Sequence, residues 1–394
     1  MPVRKQLTAD AYTVGIIYVK PLELKAIMVM MDEIHQSIPL PLGDSNEYTL
    51  GCIGDHNVII AGPAKGAQGK VSISSVVARI PLTFRNIRVG LLVGIGGGVP
   101  YPTGADVRLG DVVVGAPEDG PAVVQYDHGK QYTKGTTVSR TLNKPPDLLL
   151  RVVDKVENEY QLLKRGEEDF FTTHLQRFSE YPRLGNFYRR PKTIDRLFRP
   201  EYEHDLSRTQ TWSERDGNPC TSHDARYEIE REERDPSRIH IHCSTILSGD
   251  MVMKSAKIRD ELSAKHNNAL CFEMEAAGVM DVFPCLVIRG ISDYCDSHKN
   301  KDWQGYAAAT AASYARKVLL TMAKREVYGS AGHARGAEAT SGVTPKMPSQ
   351  GSLSVRFKGG SNSGIQLGHN VGNIIFSPGP PRHFRAPSPA LALR

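Results

Sequence analysis

A chain of 394 residues with 40% hydrophobic content can hold one large domain or two ordinary ones around a real core. Its formal net charge is +6, and the seven basic residues beyond Tyr328, set against Glu338 alone, account for all of it. The body is therefore neutral, which argues against a nucleic-acid-binding face, because phosphate backbones demand a basic one.

From Tyr12 to about Tyr328, apolar strand-like runs alternate with segments of helical period, the pattern of an α/β domain whose largely parallel sheet is covered by helices. In chain order, "YTVGIIYV" reads as a strand and "LELKAIMVMMDEIH" as a helix. "YTLGCIG" and "NVIIAG" follow as strands, "KVSISSVVARI" as a helix, "VGLLVGI" and "DVVVGA" as strands, and "PDLLLRVVDKVENEYQLLK" as a helix. Residues 165–238 break this rhythm: they are crowded with charge and aromatics and have little apolar periodicity, so an insertion of short helices and surface loop is predicted. It is expected to form a wall of the pocket or a subunit contact. The alternation resumes with "IHIHCSTIL" (strand), "VMKSAKIRDELSAKH" (helix), "LCFEME" (strand), "MEAAGVMDVF" (helix) and "CLVIRGI" (strand). It closes with the helix "YAAATAASYARKVLLTMAKREV". Residues 329–394 turn to Gly, Ser, Pro and Ala, a composition that cannot bury enough surface to fold alone, and a disordered tail is expected.

Six cysteines (Cys52, Cys220, Cys243, Cys271, Cys285 and Cys295) are spread along the chain without a CxxC pair, as in reduced, cytosolic proteins. The N-terminus "MPVRKQLTADAY" lacks the apolar run of a secretory signal, and nothing approaches the ~20 apolar residues of a membrane span. A cytoplasmic protein without nucleic-acid or membrane partners is expected.

Four stretches fall where strands should end, which in α/β proteins is where chemistry is done. "VGIIYVKPLELKAI" carries Glu23 at the mouth of a helix, and "LLVGIGGGVP" follows a strand with Gly94, Gly96, Gly97 and Gly98. "ALCFEMEAAG" carries Glu273 and Glu275, and "RGISDYCDSHKN" carries Arg289, Ser292, Asp293 and Asp296. Singly, each has a plain alternative. The glycines could form a tight turn; they fit neither GxGxxG with its ribose acid nor GxxxxGK[ST]. Glu23 could be a solvated first-turn acid, and Asp293 an N-cap. Four acid- or glycine-bearing strand ends together point to a shared site.

"GIIYVKPLE", "VGIGGG", "LSGDMV", "CFEMEAAG" and "RGISDYCDSH" together resemble the nucleoside phosphorylase and nucleosidase superfamily, most closely the form found in fungal NLR-like immune proteins. The resemblance spans roughly residues 12–328 and implies a three-layer, twisted mixed sheet flanked by helices, a homo-oligomer, and cleavage of the N-glycosidic bond of purine nucleosides or nucleotides. The reaction passes through an oxocarbenium-like sugar. By match to the family motif, Asp293 protonates the departing purine, which needs surroundings that disfavour its charge, and Ser292 orients it. Glu275 matches the glutamate that grips the ribose hydroxyls, Met274 lines the sugar pocket, and Glu273 is as readily structural. Val252 and Met253 match the positions that cover the base, with Val252 where an aromatic ring commonly stacks.

Hydrolysis or phosphorolysis turns on Glu23. Bacterial-type phosphorylases resemble "PLR" here, whose arginine holds phosphate, whereas this chain has "PLE". A carboxylate repels phosphate but can accept a proton from water, so Glu23 is expected to guide the attacking water with Arg289 as neighbour. The N–H groups of Gly94 to Gly98 could still bind an anion, and a phosphorylase with phosphate as co-substrate, or a non-catalytic adaptor with the same fold, stays open. No other cofactor and no metal is expected; "CTSH", with Cys220 and His223, is half a zinc site with no second half nearby. His298, Lys299 and Lys301 could serve a nucleotide's phosphates or form a solvated charged run, the reading preferred. Cys295 reads as packing rather than nucleophile. In the tail, residues 361–376 ("SNSGIQLGHNVGNIIF") mix alternating apolar residues with amide side chains, and "IQLG" resembles RHIM-type amyloid signalling motifs; the alternative is a sticky linker. An NLR-type receptor carrying a similar segment would be its partner.

Overall fold

The computed structural model describes residues 4–100, 105–132, 135–138, 142–203, 224–235, 238–299 and 301–323. Among these, strands β1 (Val14–Ile17), β2 (Glu33–Ile34), β3 (Tyr48–Ile53), β4 (His56–Ala61), β5 (Val89–Gly98), β6 (Val112–Val114) and β7 (Val123–Gln125) precede a hairpin of β8 (Gly129–Tyr132) and β9 (Gly135–Val138). They are followed by β10 (Ile241–Cys243), β11 (Ile246–Ser248), β12 (Cys271–Glu273) and β13 (Leu286–Asp293). The helices are α1 (Pro21–Val29), α2 (Lys70–Thr83), α3 (Asp147–Gln161), α4 (Phe170–Gln176), α5 (Ala256–Lys265), α6 (Ala276–Val279) and α7 (Gln304–Thr321). All lie within one unit, residues 1–328.

The main sheet runs β10-β6-β13-β5-β1-β4-β3-β2. Its centre is parallel, β5 pairing with β1 and β13, while β13–β6 and β2–β3–β4 are antiparallel, so the sheet is mixed. The far end of β5 turns to a second partner: Gly97 and Gly98 pair with Phe272 and Cys271 of antiparallel β12, which carries β11 and then β7.

Three layers follow from burial on both faces. Val14, Ile16, Leu91, Val93, Leu286 and Ile288 point into one apolar cluster with α1, α3, α4 and α7. The intervening Ile17, Leu92 and Val287 point into the opposite cluster, with α2 and α6. Strands buried on both faces read as continuous apolar runs, which is why their sequences show no alternation. Helix α7, with six alanines among its 18 residues, lies so close on β13 that a side chain at Gly290 would collide with the carbonyl of Ala307.

Several elements depart from the sequence expectation. The first helix stops at Val29 because its last predicted turn supplies edge strand β2 instead. "IHIHCSTIL" divides into β10 and β11, which join different parts of the sheet. The glycines after Gly94 form no loop: β5 continues through Gly98. The described part of the insertion is more than surface loop, for Phe171, Phe178, Tyr188, Leu197 and Phe198 are buried in it. Residues 204–223, with Cys220 and His223, and the tail motif 361–376 lie outside the described residues.

Candidate active site

The ends of β1, β5, β12 and β13 open into one cleft of about 690 Å³, counted with the open solvent at its mouth. Glu23, Glu275 and Asp293, 252 and 18 positions apart in sequence, all line it.

Glu23 sits in the first turn of α1, which Pro21 opens with its pre-set φ. The side chain folds back on the helix start: Oε2 accepts the N–H groups of Val19 (2.9 Å) and Lys20 (2.8 Å), and Oε1 accepts that of Ile95 (3.0 Å). A carboxylate offers about four acceptor sites. Three are filled by backbone, leaving one on Oε1. The Ile95 N–H, which sequence reasoning offered to an external anion, is thus taken by an internal one. Gly94 and Gly97 are glycine for space: a side chain at 94 would strike the Arg289 guanidinium and Glu23, and one at 97 would strike Cys295 Sγ and Asp293 Oδ1. Gly96 and Gly97 line the cleft, while Gly94 and Gly98 are not among its described lining residues.

At the end of β12, Glu273 caps α6 by accepting the N–H groups of Glu275 (3.1 Å) and Ala276 (2.9 Å). It also takes the guanidinium of Arg289 at 2.5 Å, a pair that is 1% exposed on both sides. Arg289 stands further from Glu275, at 3.7 Å. Arg289 therefore serves chiefly as the buried counter-ion of the two glutamates behind the cleft, rather than as a partner of Glu23 alone; burial opposes its charge, and Glu273, Glu275 and Glu23 hold it well above the ordinary arginine value. For Glu275, burial pushes the carboxyl up to about 7; Arg289 opposes the shift, and Glu273 and Glu23 add to it.

Ser292 and Asp293 close β13. Strand alternation would send consecutive side chains to opposite faces, but the β13–β5 register slips between Ile291 and Asp293, and both residues line the cleft. Asp293 accepts the Ser292 hydroxyl at 2.8 Å and the Cys295 N–H at 3.1 Å. It also accepts the ammonium of Lys299 at 3.0 Å. Asp293 is thus ringed by donors rather than by apolar groups. Lys299 is no solvated residue, since burial opposes its charge yet the Asp293 carboxylate lifts it above the ordinary lysine value. His298 is buried and stacked on Phe198 of the insertion, 4.1 Å between ring centres, while Lys301 is exposed. Burial raises the Cys295 thiol far above its usual range, which suits packing.

Val252, Met253 and Met274 line the cleft, with Val252 at its open mouth, 52% exposed. Sequence reasoning missed Phe272, Lys20, Gln68 and Gln304, which line it too. Among the described lining residues none belongs to the insertion. It instead braces the loop behind Asp293: Arg231 donates to the Tyr294 hydroxyl at 2.9 Å, and that hydroxyl donates to Asp195 at 2.7 Å. No helix among the described residues is long and apolar enough to cross a membrane.

No protein-family model matches the chain. Over 319 residues it is 39% identical to a nucleotide-binding leucine-rich repeat (NLR)-like protein of Hyaloscypha variabilis, covering 80% of this chain and 30% of that protein. It is 34% identical over 79 residues to the ATP nucleosidase Cap17 of Escherichia coli, 19% of this chain and 16% of that one. A death domain-containing ATP nucleosidase of Amphimedon queenslandica is 30% identical over 83 residues. The chain thus spans between 16% and 30% of the length of these relatives. Among solved structures, futalosine hydrolase of Helicobacter pylori aligns with a TM-score of 0.48 at 19% identity, over 78% of this chain and 97% of that one. The 5'-methylthioadenosine/S-adenosylhomocysteine nucleosidase of Neisseria meningitidis aligns with a TM-score of 0.48 at 15% identity, over 78% and 98%.

Proposed function

We propose that the cleft hydrolyses the N-glycosidic bond of a purine nucleoside or nucleotide. The observation that carries this is the meeting of Glu23, Glu275 and Asp293 in one cleft. Two of the similar proteins bear the name ATP nucleosidase, which supports a purine nucleotide as substrate. In this reading Glu275 accepts the ribose hydroxyls, and these bonds strengthen as the ring gains positive charge. Phe272 offers the base an aromatic face that Val252 cannot. Asp293, held by Ser292, faces the departing base, and the Lys299 ammonium beside it is the nearest proton donor. As the C–N bond lengthens the purine becomes basic enough to draw a proton through this pair.

Glu23 receives the attacking water on its one open acceptor site. The same geometry disfavours phosphorolysis. The Glu23 carboxylate takes the N–H groups of Val19, Lys20 and Ile95 and sets a negative charge beside the glycines, and the described lining residues include no arginine. Base release from adenosine, inosine, AMP and ATP, followed by chromatography with and without phosphate, tests the reading. Release independent of phosphate is expected; release that requires phosphate overturns hydrolysis, and no release from any of the four overturns catalysis.

The name of the fungal relative supports an effector role within an NLR-like protein. Activation by assembly, through an oligomeric body and an amyloid-type tail templated by a receptor, completes the proposal. Loss of activation on deleting residues 361–376, with the isolated body still active, is its test.

A further inference from the structure

At the sheet edge, where β2 lies beyond β4 and β3 from the β1 end of the cleft, stands a second cluster. Glu33 and His35 lie two positions apart along the edge that begins with β2, so their side chains share one face. Cys52 is the cross-strand partner of Glu33 on β3. The ladder holds on both sides: Asp32 N–H donates to Cys52 O at 2.9 Å and His35 N–H to Leu50 O at 2.7 Å. The ligating atoms of Glu33, His35 and Cys52 all lie within 4.8 Å of one another. A tetrahedral zinc ion, with bonds of about 2.0 to 2.3 Å, needs its ligands roughly 3.5 Å apart, so the three side chains must draw together from separations of up to 4.8 Å to hold one.

His35 points to what the cluster is for. Its side chain is fully buried, and Nε2 has no hydrogen-bond partner, the Glu33 carboxylate standing 3.7 Å away. An orphaned buried nitrogen is costly unless something occupies its lone pair. The other nitrogen, Nδ1, lies 3.0 Å from the Tyr12 hydroxyl. With the proton on Nδ1, donated to the tyrosine oxygen, the Nε2 lone pair is free, the arrangement that outer partners impose on metal-ligating histidines.

A cysteine–histidine–acid nucleophile does not fit. Such triads orient the imidazole from the nitrogen opposite the thiol. Here the Glu33 carboxylate lies on the Nε2 side, 3.7 Å away, and Cys52 converges on the same space. Three ligands around one point, of mixed nitrogen, sulfur and oxygen type, suit a borderline cation such as zinc.

We propose that Glu33, His35 and Cys52 bind one divalent zinc-type ion, with water at the fourth position, pinning the two-residue edge strand β2 to β3. Binding takes Cys52 as its thiolate and releases the thiol proton to solvent. Lys5 and Asp32 also face the cluster, with opposite charges.

The test is titration of the reduced full-length chain with cobalt(II), read by the thiolate-to-metal charge-transfer absorbance, with zinc as competitor. One equivalent is expected to bind with a thiolate band that zinc abolishes. Cys52→Ser removes the band, and the solvent-facing Glu33→Gln weakens binding by about tenfold or more. Cys220→Ser, at the other cysteine–histidine pair, leaves it unchanged. The site is refuted if saturating cobalt gives no thiolate band, if the band survives Cys52→Ser, or if Cys220→Ser removes it. Should Cys52→Ser fail to fold, folded Glu33→Gln decides alone: undiminished affinity overturns the proposal.

Discussion

The ammonium of Lys299 lies 3.0 Å from the carboxylate of Asp293, inside the cleft and three-quarters buried. A residue at the tip of a charged run is thereby joined to the acid that ends the central strand β13, and the first prediction follows from the pair. Asp293→Asn is expected to lower kcat/KM by ~10² to 10⁴, the usual loss when a general acid is removed. Lys299→Met should lose at least ~10-fold, and Lys299→Arg should recover part of it. Steady-state base release, with circular dichroism to verify folding, checks both. If Lys299→Met retains full activity, the ammonium takes no part in proton delivery.

Glu275 has its folded pKa raised from 4.5 to about 7, so the folded protein holds a proton there that the unfolded chain has lost. Protonated Glu275 therefore favours the folded state: its stability is fully present below pH 4.5 and is lost as pH rises through about 7, above which the buried carboxylate weakens the fold. Glu275→Gln, which cannot ionise, should stabilise the fold at pH 8 by on the order of 1–3 kcal/mol while nearly abolishing activity. Thermal melts at pH 5 and 8 check the first part, the gain appearing only at pH 8.

The same titration shapes catalysis. Ribose hydroxyls bind best to the ionised carboxylate, so log kcat/KM should climb with pH and level off above about 7. A profile flat from pH 5.5 to 8 would remove Glu275 from the ribose.

Glu23→Gln turns an amide NH₂ toward backbone donors that now meet a carboxylate. Leaving them unmatched should cost ~1–3 kcal/mol in denaturant unfolding, and loss of the water-guiding oxygen should cut the hydrolytic rate by ~10² or more. Added phosphate should not restore it.

Gly97→Ala places a methyl group against Cys295 Sγ and Asp293 Oδ1. Displacement of the acid by even an ångström should lower kcat by ~10²-fold, because near-attack geometry is that sensitive. Gly43→Ala, where the added methyl group meets only Leu82 at an ordinary 3.5 Å, serves as the control for activity.

Much of this was legible in the sequence because the central strands are buried on both faces. β1, β4, β5 and β13 announce themselves as apolar runs, and the acids at their ends stand out against them. Three-residue β7 shows no period to detect, and nothing local tells that "IHIHCSTIL" leaves one sheet partner for another. The three acids were legible; their partners were not. Lys299 looked solvated because the strand behind it gives no sign that the chain turns back over the cleft, and the Ile95 amide lies 72 positions from the carboxylate it serves. Phe272 could have been found: it is the aromatic residue directly before the "EME" acids, facing the same pocket.

The slipped register at the end of β13 separates two evolutionary pressures on one strand. Upstream of it, Leu286, Val287, Ile288 and Ile291 answer to the core, where apolar side chains of similar volume can be exchanged. Downstream, Ser292 and Asp293 are aimed by a local backbone irregularity and not by the strand's alternation. Drift among the packing residues can thus proceed without rotating the acid out of the cleft, and lineages with quite different hydrophobic interiors can keep the same reactive pair.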